Sequence, residues 1–182
     1  ISSQDLGQQM GLTASQIRQD MNCFGGFGQQ GYGYNIHELR LKISEILGLD
    51  RSYTMAIVGA GKIGQAILSY DGFRSMDFHI TAMFDTDPEL IGRRVRDITI
   101  YDAANIREVL TASPVDVGVV AVPEASAQWV CDMLTGCGVR AIWNFAPIDL
   151  SVGRDVAINN VHLSDSLMVL TYSMRHTRGS GK

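Results

Sequence analysis

Tyr53-Thr54-Met55-Ala56-Ile57-Val58-Gly59-Ala60-Gly61-Lys62-Ile63-Gly64 holds a strand, a glycine turn and a helix start in one short stretch. The first six residues form an apolar run suited to a buried parallel strand. The last six spell G-x-G-x-x-G, and a helix is predicted from Lys62 to about Tyr70. This motif signals dinucleotide binding when it follows a strand and opens a helix. Gly59 permits the tight turn, Gly61 lets the backbone approach a pyrophosphate, and Gly64 lets the helix pack closely on the strand. The helix N-terminus offers free N–H groups and a partial positive charge to phosphates. Gly59, Ala60, Gly61, Lys62, Ile63 and Gly64 are therefore the predicted phosphate-binding turn.

Working downstream, Phe78 to Phe84 reads as a second strand, and Asp85 at its end lies 21 residues after Gly64. An acid at that place hydrogen-bonds an adenosine ribose. Thr86, Asp87 and Pro88 follow, with no arginine before Arg93. A 2′-phosphate would meet two carboxylates, so NAD(H) is expected rather than NADP(H). A helix is predicted from Asp102 to Ala112, a buried strand from Val115 to Val122, a helix from Ala125 to Thr135, a strand from Val139 to Asn144 and a weak strand near Val156 to Ile158. This alternation implies a mostly parallel sheet with helices on both faces. Ligands bind outside the carboxyl ends of such strands, which makes Val122, Pro123, Asn144 and Phe145 candidate walls for the nicotinamide half. A last helix is expected from about Asp165 to Met174, with Leu163, Leu167, Leu170 and Met174 along one face.

Upstream of the strand, Ser2 with Asp5 and Thr13 with Gln16 are two capping patterns, and Gly11 suits a helix stop. They predict helices from Ser3 to Met10 and from Thr13 to about Phe24, joined as a helix-turn-helix. Phe24-Gly25-Gly26-Phe27-Gly28-Gln29-Gln30-Gly31-Tyr32-Gly33-Tyr34 interleaves glycines with aromatics and reads as a β-hairpin, or wing. Asn35 with Glu38 starts another helix with an apolar stripe of Leu39, Ile43, Ile46 and Leu47, ending at Gly48. Ser15, Gln16, Arg18, Gln19 and Asn22 are candidate DNA contacts from the second helix, and Gln29 and Gln30 from the wing. Charge opposes this. Residues 1–50 hold three cationic side chains against five acidic ones, a net of −2, where phosphate binding calls for a basic face. A small helical cap or dimerisation arm is the alternative.

The whole chain, of 182 residues with 46% hydrophobic and 19% charged, is long enough for a buried core and too apolar for disorder. No stretch is long and apolar enough for a transmembrane helix, and the first residues have no secretory pattern. Three cysteines without metal-ligand spacing fit a reducing, cytoplasmic setting. Of the four histidines, His162 alone has a plausible catalytic place, and Cys131 and Cys137 read as structural. Binding without chemistry is the economical expectation: no enzyme and no metal.

Taken together these residues resemble the Rex family of redox-sensing transcriptional repressors. The resemblance rests on Ser15-Gln16-Ile17-Arg18-Gln19-Asp20, the Phe24 to Tyr34 wing, Gly59 to Gly64 with Asp85, Trp143-Asn144-Phe145-Ala146-Pro147, and His162-Leu163-Ser164-Asp165-Ser166-Leu167. It implies an α/β fold: a Rossmann-type doubly wound parallel sheet, preceded by a partial winged-helix domain and ending in a dimer-swapped C-terminal helix. The implied domains are 1–50, winged helix with its first helix missing; 51–163, Rossmann; 164–176, dimerisation helix; and 177–182, tail. It also implies NADH and NAD⁺ as ligands, operator double-stranded DNA and a second copy as partners, and release of DNA when NADH closes the homodimer. A neutral reduced ring suits an apolar pocket near Val122, Pro123 and Phe145 better than the oxidised cation does. Moving a two-state equilibrium from mostly open to mostly closed takes about 5.5 kcal/mol of differential binding. Asp165 is the candidate inter-subunit switch contact; its plainer role is a first-turn helix carboxylate. Two other functions stay open: a small NAD-dependent dehydrogenase, and a nucleotide- or CoA-binding module of a larger enzyme.

Overall fold

The computed structural model describes residues 1–23, 25, 28–29 and 32–177. The chain forms two compact units, Ile1–Arg51 and Ser52–Lys182. In the first, α1 (Ser3–Met10) and α2 (Ala14–Cys23) begin where the capping patterns placed them. The Ser2 hydroxyl accepts the Asp5 N–H at 3.0 Å, and hydrogen bonds from Ser2 hold the Asp5 carboxyl below its ordinary pKa. At α2 the Thr13 N–H donates to Gln16 Oε1 at 3.0 Å, and the Gln16 N–H returns to Thr13 Oγ1 at 3.2 Å. Each pair satisfies amides that a helix start leaves without intrahelical acceptors.

The wing is present as β1 (Gly28–Gln29) antiparallel to β2 (Gly33–Tyr34). Its Phe24, Gly26, Phe27, Gln30 and Gly31 lie outside the described residues, as does the tail from 178. Gly33, at φ +78°, passes so close to Ile1 that a Cβ would meet the Ile1 carbonyl. Tyr34 then packs with Ile17 and Leu39 as the small core of this unit. Helix α3 (Ile36–Ile46) is capped by the Asn35 side chain, which accepts from His37 and Glu38 N–H. Its expected apolar stripe is only partly covered: Leu39 is buried, whereas Ile43, Ile46 and Leu47 are exposed.

The second unit contains β3 (Tyr53–Val58), α4 (Lys62–Ser69), α5 (Gly72–Ser75), β4 (Phe78–Asp85), β5 (Arg94–Val95) and β6 (Ile98–Asp102). A 3₁₀ turn (Ala103–Asn105), α6 (Ile106–Ala112), β7 (Val117–Val120), α7 (Glu124–Gly136), β8 (Ala141–Asn144), β9 (Ala157–Asn160) and α8 (Leu163–Thr177) complete it. The sheet order is β5-β6-β4-β3-β7-β8-β9, parallel except for the β5–β6 pair. The chain winds from β3 outward through β4 to β6, then returns to β7 on the other side of β3. That reversal opens a crevice between the carboxyl ends of β3 and β7. The Asp116 carboxylate locks the opposite end, accepting the Thr54 N–H at 2.8 Å.

Each sheet face has its own core. Val58, Phe84 and Val120 meet α6 and α7 on one face, while Ile57, Met83 and Val119 meet α4 on the other. The predicted Rossmann-type strands and helices are all present, with ends shifted by a few residues. The β5–β6 hairpin was not anticipated, although Ile98-Thr99-Ile100-Tyr101 has the β-branched and aromatic composition of a strand. The four-residue α5 was also not anticipated. Helix α8 starts at Leu163 and runs to Thr177. Leu163, Leu167, Leu170 and Met174 on it are all exposed.

Phe84 is fully buried and packs beside Tyr101. Replacing it with Ala removes that packing and leaves a cavity. We expect Phe84→Ala to cost about 3–5 kcal/mol in urea unfolding, with little change in slope.

Candidate functional site

Three glycines shape the end of β3, each in a different way. Gly59 sits at φ +103°, and a Cβ there would strike the Ala121 carbonyl oxygen. A Cβ on Gly64 would strike the Gly59 carbonyl oxygen. Around the Cβ position of Gly61 lies open space, so the loop presents bare backbone on that side. Gly64 brings α4 hard against the end of β3, Gly59 brings the turn hard against the end of β7, and Gly61 leaves open space. Gly61 is the N-cap of α4 and offers no side-chain cap to the amides behind it. Lys62 and Ile63 in the first turn are exposed.

Asp85, half-buried at the end of β4, is held in place by backbone amides. Its Oδ2 accepts the Ala60 N–H at 2.6 Å, and its Oδ1 accepts the Thr86 and Asp87 N–H groups at 2.7 and 2.9 Å. This ties the end of β4 to the glycine turn. Gln65 Nε2 donates to the Ala60 carbonyl at 2.7 Å and steadies the same loop from α4.

Gly59, Gly61, Asp85, Thr86, Val122 and Pro123 line one cleft of about 200 Å³, closed on its far side by Ser126, Trp129 and Val130 of α7. The cleft is where the topology predicts a ligand, with a bare-backbone turn beside a carboxylate. Val122 and Pro123 share this cleft with Asp85. Ser126 and Trp129 were not singled out in the sequence. Their signal was position, in the first turns of the helix that leaves the switch point.

Asn144 and Phe145 are not in that cleft. The Asn144 side chain is completely buried. Its Nδ2 donates to the Ile148 carbonyl at 2.7 Å and to Asn160 Oδ1 at 2.9 Å, while its Oδ1 accepts the Ala146 N–H at 2.9 Å. Asn144 therefore fastens the loop after β8 to β9, with its donors and acceptor spent inside the protein. The Phe145 ring meets Trp143 edge-on at 4.6 Å between centroids.

Ser15, Gln16, Arg18, Gln19 and Asn22 are all exposed on α2. Gln16 is occupied in the capping box, and Arg18 Nη1 donates to Ser3 Oγ at 3.1 Å. Gln29 lies in β1, and Gln30 lies outside the described residues. Asp165 is exposed in the first turn of α8. His162 Nε2 lies 3.1 Å from Asp149 Oδ1, and His162 is not among the cleft-lining residues. The three cysteines are free, and burial pushes the Cys131 thiol up. No group of metal-ligating side chains occurs among the described residues, and no helix among them is long and apolar enough to cross a membrane.

A family profile described as "CoA binding domain" matches residues 50–148. The redox-sensing transcriptional repressor Rex of Clostridium beijerinckii is 55% identical over 177 residues, which is 97% of this chain and 84% of that protein. Among solved structures, RSP in complex with beta-NAD⁺ and operator DNA matches at a TM-score of 0.90 and 45% identity, over 100% of this chain and 87% of that one. RSP in complex with beta-NADH matches at 0.85 and 43% identity, over 98% and 83%.

The Asn144 network gives a direct test. Asn144→Leu leaves the Ala146 N–H and the Ile148 carbonyl without their partner, and we expect a loss of about 2–4 kcal/mol. In a thermal melt this is a clear fall in Tm, whereas an unchanged melt would show the network to be dispensable.

Proposed function

This chain belongs to the Rex family of redox-sensing transcriptional repressors, and on that footing we propose that it binds operator DNA as a homodimer and lets go when NADH occupies the cleft. The observation that carries the proposal is the match over the full chain to RSP, whose structures hold NAD⁺ with operator DNA and, separately, NADH. Relatives named in this way are regulators rather than enzymes. A cytoplasmic setting belongs to the same proposal, supported by three free cysteines.

In this reading, Gly59 to Gly64 cradle the pyrophosphate with backbone N–H groups, and the N-terminus of α4 adds its partial positive charge. Asp85 accepts from the ribose hydroxyls. Its neighbour Asp87 makes the rim unfavourable for a 2′-phosphate, which favours NAD(H). Val122 and Pro123 supply apolar wall, with Phe145 beyond; Asn144 contributes by holding the loop on which Phe145 stands. NADH itself supplies the redox signal, since its ring is neutral and that of NAD⁺ is a cation.

Ser15, Arg18, Gln19 and Asn22 are the side chains we assign to the major groove, with Gln16 holding the helix start and the wing residues Gln29 and Gln30 beside the backbone. The exposed apolar face of α8 suits a second copy, because seven large apolar side chains on this one helix are more than half exposed. Asp165 at its first turn is the contact we assign to one domain arrangement and not the other.

The family profile's description favours one second reading, a CoA site in the Ser52–Lys182 unit. Asp85 weighs against it, because a phosphorylated ribose would face that carboxylate. The exposed α2 and the wing also have no part in it.

The test is titration of duplexes selected from randomised DNA, at one salt concentration, with NAD⁺, NADH or CoA present. Binding retained with NAD⁺ and lost with NADH is expected; indifference to both dinucleotides, with CoA bound, would replace this reading by the second. Asp85→Ala should weaken NADH about tenfold or more while DNA binding without NADH persists. Asp165→Ala should leave NADH affinity near that of the parent yet cut the NADH-driven release about tenfold, and full release would remove Asp165 from the switch.

A further inference from the structure

Trp129 is half exposed, at 53%, on the wall of the cleft that contains Asp85. Unlike Trp143, which meets Phe73 and Phe145, it stacks on no other ring among the described residues. Ser126, Trp129 and Val130 stand at i, i+3 and i+4 on α7, so one helix face presents all three to the cleft. Trp129 is the one aromatic side chain on the lining; beside it the wall is apolar or backbone, with the Ser126 and Thr86 hydroxyls as its uncharged polar groups.

We propose that Trp129 is a further binding residue for the adenine base, holding it by stacking on its face. The proposal rests on the dinucleotide reading of the cleft. The acid that accepts a ribose in this fold binds the adenosine sugar. Asp85 and Trp129 line the same small cavity, so a base attached to that sugar enters the space beside the indole. A purine there gains an aromatic face and covers an indole that is otherwise in contact with water. Face contact tolerates different bases, because every base has a π-face; edge contacts discriminate between them. This wall therefore reads that a flat base is present, while Asp85 reads the sugar.

The test separates the two halves of the ligand. ADP-ribose keeps the adenosine half and lacks nicotinamide, and it is compared with NADH by calorimetry. Trp129→Ala should weaken both ligands by a similar factor, about tenfold. Trp129→Phe should restore both to within about threefold of the parent. In a Trp143→Phe background Trp129 is the sole remaining tryptophan, and ADP-ribose should quench its fluorescence. If NADH binds the parent and Trp129→Ala equally, stacking is overturned and the dinucleotide site stands. If Trp129→Ala weakens NADH alone, the indole belongs to the nicotinamide half and the adenine assignment falls. If neither ligand binds the parent, the dinucleotide reading fails, and this assignment with it.

Discussion

Everything in the larger unit depends on how closely α4 approaches β3. The Gly59 carbonyl occupies the space that a side chain on residue 64 would need, and the Ala121 carbonyl occupies the space that one on residue 59 would need. The turn is therefore closed from both sides by backbone, and only glycine satisfies both contacts. This closeness puts the start of α4 beside the end of β4, within reach of the Asp85 carboxylate. It also brings the end of β7 near enough for Val122 and Pro123 to share a wall with that acid. A looser turn would separate these groups and leave no cleft.

Much of this was legible in the sequence because it is local. The capping boxes at Ser2 and Thr13, the glycine turn and the acid after the second strand are each written within a few residues, and each is found in place. Contacts between distant segments were not legible. Asn144 read as a ligand wall because it ends a strand, yet its partners include Asn160, sixteen positions away, which no local pattern reveals. The β5–β6 hairpin was missed because its first strand is only two residues long and is turned by Arg96 at φ +54°. Periodicity showed that α3 and the last helix are amphipathic, but an apolar stripe does not say what covers it. Trp129 was not singled out, because its exposure is a property of the fold.

The chain joins two kinds of recognition of different range. Around the cleft, backbone amides and one carboxylate act over hydrogen-bond distances within a single unit. On α2, exposed polar side chains stand on a unit with a net charge of −2 over residues 1–50, so attraction to phosphate at long range is weak there. Helix α8 presents an apolar face as well. Its exposed leucines and methionines gain most when buried, so a small change in what they cover carries a sizeable free energy.

The β5 margin of the sheet also decides how copies of the protein can meet. A long open strand is a template on which another chain can add rungs. Here the outermost strand is Arg94–Val95, too short for more than a rung or two, and Arg93, Arg94 and Arg96 crowd it with positive charge. Arg96 is further drawn away to the Asp71 carboxylate and the Ser69 carbonyl. That margin of the sheet is thereby guarded against ladder-like growth into fibres.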